Sequence, residues 1–151
     1  MTRDEVIERA CKEIKVFEGL SLRPYVCPAG VWTIGYGHTS KTEPYPLPSE
    51  QVAFDLLKID VRDVFDNIDI QLHKQLLPTK LNDNQMIAML CLVFNIGIGN
   101  FKKSTILKLI NADNLNLVPA EIVKWNHTNG KVLKGLVKRR QREADIWQGK
   151  L

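Results

Sequence analysis

Residues 18–38 read E-G-L-S-L-R-P-Y-V-C-P-A-G-V-W-T-I-G-Y-G-H, and this stretch constrains the fold more than any other. Its short alternating segments are broken by Pro24, Pro28, Gly30, Gly35 and Gly37, a pattern that makes strands and tight turns and not helix. The residues before it have a different period. Val6, Ile7, Ala10, Cys11, Ile14 and Phe17 recur at helical spacing with charges between them. Thr2 and Glu5 stand three apart, as a capping box requires. Glu18 therefore sits where a helix gives way to a hairpin, and Thr33, Tyr36 and His38 cluster at the far end. A carboxyl at such a junction is well placed for acid catalysis. The apolar neighbours Phe17 and Leu20 are expected to keep it partly dry and protonated.

The remainder reads mainly as helix. Residues 39–48 hold three prolines and predict an exposed loop. A long helix is expected from Pro48 or Ser49 to about Ile68, with weaker pattern to Leu76. About 20 helical residues span about 30 Å, enough to connect two parts of a small protein. Asn82 and Gln85 form a second capping pattern, and I-A-M-L-C-L-V-F after Met86 is apolar on every side. Such a helix is buried at the centre of a fold, and it is too short to span a membrane. N-I-G-I-G-N-F is expected to turn the chain. Ser104 is expected to cap a short helix to Ile110, followed by helices at about Pro119–Trp125 and Lys134–Trp147, with N-H-T-N-G as a loop.

At 151 residues the chain is long enough to bury about two-thirds of its unfolded surface in one domain without disulfides or metals. The three cysteines, Cys11, Cys27 and Cys91, show no C-x-x-C spacing, so neither a metal site nor a disulfide framework is expected. Cys11 and Cys91 fall in apolar helical segments and read as buried thiols. Net charge is +4, and it is uneven. Residues 120–151 carry eight Lys/Arg against three Asp/Glu, a net of +5, and the rest carries −1. A basic C-terminal face suits an anionic partner such as nucleic acid, a membrane surface or a bacterial envelope, and a solvated helix face explains it equally well. The charged N-terminal residues are not those of a signal peptide or membrane anchor, so synthesis in a reducing cytoplasm is expected. No nucleic-acid fingerprint accompanies the basic tail, and no nucleic-acid partner is expected.

The spacing Glu18, eight residues, Cys27, five residues, Thr33 resembles the active-site pattern of the phage-type lysozymes, glycoside hydrolase family 24. F-E-G-L, T-I-G-Y-G-H, F-N-I-G-I-G-N-F and G-K-V-L-K-G-L-V-K-R-R are similar to the family's flanking segments, so the likeness covers nearly the whole chain. It implies a mainly helical α+β fold: a small lobe with a short antiparallel sheet at about residues 12–60, a long connecting helix, and a helical lobe at about 61–151 that includes the N-terminal helix. It implies hydrolysis of the β-1,4 bond between N-acetylmuramic acid and N-acetylglucosamine in peptidoglycan, with no metal or organic cofactor. A monomeric endolysin is implied, acting on the wall after release through a holin pore.

By the same resemblance Glu18 is the general acid, which must hold a proton for the leaving oxygen. Cys27 stands where many relatives have Asp, and with Thr33 it positions or activates water. A neutral thiol is a poor base and a thiolate is a good one. Phe94, Asn95 and Ser104 match positions that line the sugar cleft. His38 supports the site from behind, and either Arg139 or Arg140 faces Glu18. The same residues are compatible with two other functions. A lytic transglycosylase would use Glu18 as acid and base and leave an anhydro sugar. An inactive wall-binding module would keep the fold alone.

Overall fold

The computed structural model describes residues 1–150. Its first element, α1 (Arg3–Phe17), begins at the Thr2 capping box, where the Thr2 side chain accepts from the Glu5 N–H and Glu5 reaches back to the Thr2 N–H. Three strands follow, β1 (Ser21–Val26), β2 (Trp32–Gly35) and β3 (His38–Ser40), paired antiparallel in that order. The helix α2 (Glu50–Leu72) starts on a Ser49 cap and is 23 residues long. Tyr36 is buried and donates its hydroxyl hydrogen to Glu50 Oε1 at 3.0 Å, which pins the β2–β3 turn to the start of α2.

The central element is α3 (Asp83–Ile96), capped by Asn82 and Gln85 as the sequence implied. Every residue from Met86 to Val93 is buried. The helix is enclosed because α1 and α7 (Lys134–Trp147) pack against it along with α2. The fold is α+β and mainly helical, as expected. Cys11 and Cys91 lie inside this core as free thiols. Burial pushes the Cys11 thiol up to about 12 and raises Cys91 further from its reactive form.

Three expectations need correction. N-I-G-I-G-N-F does not simply turn. Gly97, at φ +87°, ends α3, and Ile98–Lys103 immediately starts a new helix, α4, with Phe101 fully buried beneath it. Burial of Phe101 outweighs the helix-breaking tendency of Gly99. The helix placed at Pro119–Trp125 is a short 3-10 turn at Leu115–Leu117 followed by α6 (Val118–Ile122), after α5 (Thr105–Asn111). N-H-T-N-G is a hairpin, with β4 (His127–Thr128) and β5 (Lys131–Val132) joined through Asn129 and Gly130 at φ +51° and +76°. Asn-Gly is the pair that such a two-residue turn favours.

The α1–α7 contact is held by a fork. Arg142 Nε and Nη2 donate to Glu13 Oε2 and Oε1 at 3.0 and 2.7 Å. These donors hold the Glu13 carboxyl below its ordinary value. A carboxyl lowered by folding stabilises the fold above its unfolded pKa, about 4.3, and that contribution disappears as pH falls through the folded value. Glu13→Gln is therefore expected to cost about 2 kcal/mol at pH 7 and almost nothing near pH 2. Thermal unfolding of both proteins across that range measures it. A constant difference at all pH values would place the loss in packing.

Candidate active site

Glu18 is the C-cap of α1. Its N–H still donates to the Ile14 carbonyl at 3.0 Å, but its backbone is extended at φ −87° and ψ 141°. The side chain consequently leaves the helix axis and enters a cleft of about 420 Å³. Gly37, the His38–Asp60 pair, Thr39, Val64, Phe94 and Asn95 line that cleft with it. Gly37 lies in the left-handed region at φ +76°, beside Glu18 Oε2. A side chain there would be strained by the backbone, and its Cβ would sit in van der Waals contact with the carboxylate.

Arg139 Nη1 donates to Glu18 Oε1 at 2.8 Å. The alternatives left open by K-R-R resolve in favour of Arg139. Arg140 points the other way, is 1% exposed, and pairs with Glu143 at 2.6 and 3.0 Å. The two arginines are adjacent on α7, so their side chains leave the helix about 100° apart, and only Arg139 hydrogen-bonds Glu18. The apolar screen expected from Phe17 and Leu20 is thin, because the two are 36% and 41% exposed. Phe17 serves Arg139 instead, with the guanidinium 5.5 Å from its ring centroid.

His38 faces Asp60, its Nδ1 lying 2.9 Å from both carboxylate oxygens. Burial raises the Asp60 carboxyl, and the histidine works against that rise. Asp60 projects from the middle of α2, between the buried residues Leu57 and Val61. The sequence reading missed it. Its only signal was a polar residue on the buried face of an otherwise amphipathic helix, and no local motif marks such a position.

Cys27 and Thr33 come together beside the cleft but do not line the same cavity as Glu18. The thiol is held below its ordinary value, first by the Val31 backbone, then by the Thr33 hydroxyl and the Ala29 backbone, whose hydrogens stabilise sulfur as thiolate. The Thr33 hydroxyl also reaches the Val31 carbonyl at 3.1 Å. It has one proton, so it serves the carbonyl or the sulfur, one at a time.

Phe94 and Asn95 are among the residues that line this cleft, and Ser104 is not. Ser104 is 4% exposed, and its hydroxyl donates to the Phe101 carbonyl at 2.7 Å and accepts from the Leu107 N–H at 3.1 Å. The hydroxyl thereby caps α5, and its proton is committed to the Phe101 carbonyl.

A glutamate at a helix end, held by an arginine from the last helix in a cleft beside a small sheet, is the arrangement of a lysozyme-like protein. The phage lysozyme pattern matches residues 15–143. The chain is 37% identical over 147 residues to the endolysin of Acyrthosiphon pisum secondary endosymbiont phage 1, covering 95% of this chain and 97% of that one. It is 39% identical over 137 residues to the endolysin of Bacillus phage B103, covering 89% of this chain and 50% of that protein, so it spans about half the length of that relative. The muramidase domain of SpmX from Asticaccaulis excentricus superposes with a TM-score of 0.80 at 30% identity, over 92% of this chain and 94% of that one. The chain belongs to the phage lysozyme family.

Proposed function

We propose that the chain is an endolysin that hydrolyses the β-1,4 bond between N-acetylmuramic acid and N-acetylglucosamine in peptidoglycan. The observation that carries this reading is the Glu18 carboxyl, held at 2.8 Å by Arg139 and open to a cleft of about 420 Å³. Glu18 is the only carboxyl in the strand region joining α1 to β3. It protonates the leaving glycosidic oxygen, and water attacks the anomeric carbon from the opposite face of the sugar. Cys27 and Thr33 hold or activate that water, the sulfur as thiolate and the hydroxyl by donating and accepting hydrogen bonds. Asn95 offers both a donor and an acceptor to an acetamido group, and Phe94 an apolar edge. His38 and Asp60 brace the β3 side of the cleft against α2. Purified wall incubated with the protein releases soluble glycan on this reading. Failure to release any would leave a wall-binding module as the alternative.

Because Cys27 is not a carboxylate, attack by the sugar's own hydroxyl is the competing chemistry. It would leave anhydro ends in place of reducing ends.

The protein acts as a monomer after release to the wall, and among the described residues no helix is long and apolar enough to cross a membrane. The basic α7 face meets the anionic envelope. Lys134→Gln with Lys138→Gln is expected to slow lysis of whole envelopes several-fold at low salt and to leave cleavage of short soluble oligosaccharides near wild type. The attraction is long-ranged and is screened within about 8 Å at physiological ionic strength. Lysis and oligosaccharide assays at two salt concentrations separate the effects. Equal losses on both substrates would remove the envelope role.

A further inference from the structure

Arg139 lies between two carboxylates. Its Nη1 is 2.8 Å from Glu18 Oε1, and its Nε is 3.7 Å from Glu143 Oε2. The Glu143 carboxylate is itself oriented by Arg140, whose Nε and Nη2 stand 2.6 and 3.0 Å from its two oxygens. Arg140 Nη1 reaches the Trp125 carbonyl at 3.4 Å, which anchors the group to the turn that follows α6. Arg139, Arg140 and Glu143 are 5%, 1% and 1% exposed, and only Glu18 opens to solvent. Two guanidiniums and two carboxylates therefore form one balanced row from the interior to the cleft. Buried charge requires such compensation, and removing one member leaves the others unpaired.

We propose that Glu143 is a positioning residue of the Glu18 site: with Arg140 it fixes the Arg139 guanidinium, shares its charge, and so sets how readily Glu18 gives up a proton. This rests on the reading of Glu18 as the acid. The catalytic step above does not use Glu143, and packing alone does not call for a carboxylate there. Burial pushes the Glu143 carboxyl up, and the Arg140 and Arg139 guanidiniums beside it oppose that rise. The other ionisable groups that face the row are the Cys91 thiol from α3 and Glu13 from α1. Glu13 is already forked by Arg142, and across the cleft the His38–Asp60 pair is closed on itself. Arg139 makes its one hydrogen bond to Glu18, and Glu143, 3.7 Å from its Nε and not hydrogen-bonded to it, is the carboxylate that balances its charge from behind.

The sign follows from the charges. With Glu143 neutralised, the Arg139 charge acts on Glu18 alone and favours its ionised form. Glu143→Gln is expected to move the alkaline limb of the lysis pH profile down by roughly one pH unit. Glu143→Asp keeps the charge and is expected to restore the limb to within a few tenths of a unit of wild type. A role in packing alone would instead lower the melting temperature and the rate at every pH and leave the limb in place, and that result overturns the proposal. If the Gln variant does not fold, carbon-13 titration of the glutamate carboxyls in the wild-type protein decides. Glu18 must then show a second inflection where Glu143 ionises. Independent curves overturn the proposal as surely as an unmoved limb. The titration does not depend on activity, so it separates this inference from a failure of the acid role. That failure would show as a lytic Glu18→Gln variant.

Discussion

Glu18→Gln is expected to reduce lysis of purified wall by about 10²- to 10⁴-fold while the protein keeps its fold. The amide has nearly the shape of the carboxyl and can still accept from Arg139 through its oxygen. It has no acidic proton for the leaving glycosidic oxygen, and no other carboxyl of the cleft can substitute. Asp60 also lines the cavity, but its oxygens are held 2.9 Å from His38. The loss of a charge-assisted hydrogen bond at a partly exposed site lowers stability by about 1 kcal/mol, too little to unfold a domain of this size. Circular dichroism and thermal unfolding establish that the variant is folded, and a turbidity assay reads the activity. A folded variant with wild-type activity would remove Glu18 from the chemistry.

The second large effect is expected at Cys27. Cys27→Ser should lose about 10²-fold or more of the lytic rate, because a serine hydroxyl does not ionise near neutral pH as a thiol does. Cys27→Asp should keep or raise the rate, because a carboxylate is charged at every working pH. The site favours the charged thiol already: the Val31 backbone, Thr33 and Ala29 lower its pKa, so its thiolate fraction grows at a lower pH than that of an ordinary cysteine. Alkylation supplies an independent check. Cys27 is partly exposed, whereas Cys11 and Cys91 are buried and their thiols are pushed up by burial. A thiol reagent should therefore modify Cys27 first and stop lysis in parallel. A fully active Ser variant would leave the sulfur out of the reaction.

Much of this molecule was legible before its structure. The caps at Thr2, Ser49, Asn82 and Ser104 are written in side chains that accept the first free N–H groups, and each one starts a helix where the sequence placed it. The enclosed helix α3 was legible because eight consecutive buried residues leave no polar face. Local signals failed where burial overrode them. Gly97 and Gly99 hid α4, which exists because Phe101 fills the core. Asn129-Gly130 carries a hairpin signal, but its two-residue strands are too short to show an alternating pattern.

The site divides in the same way. Glu18 was marked by the end of one periodicity and the start of another. The choice between Arg139 and Arg140 was not legible, because neighbouring helical positions differ by about 100° and only the packed structure decides which face meets α1. Ser104 is matched by likeness alone, and what the structure shows of it is a buried hydroxyl that caps α5. Asp60 and Glu143 were missed because their partners come from packing. His38 lies 22 residues before Asp60, and the charge on Glu143 acquires meaning only once Arg139 is seen to touch Glu18, 121 residues away.

The central claim is that Glu18 cleaves peptidoglycan glycan by hydrolysis, and the chain ends it produces test this most directly. Purified wall digested with the wild-type protein, with the soluble fragments weighed by mass spectrometry, should give disaccharide-peptides with reducing N-acetylmuramic acid ends, each heavier by one water than the anhydro form. The Glu18→Gln protein should give almost none. Anhydro ends from the wild-type protein, reducing ends on N-acetylglucosamine, or the same fragments from the Gln variant would contradict the account.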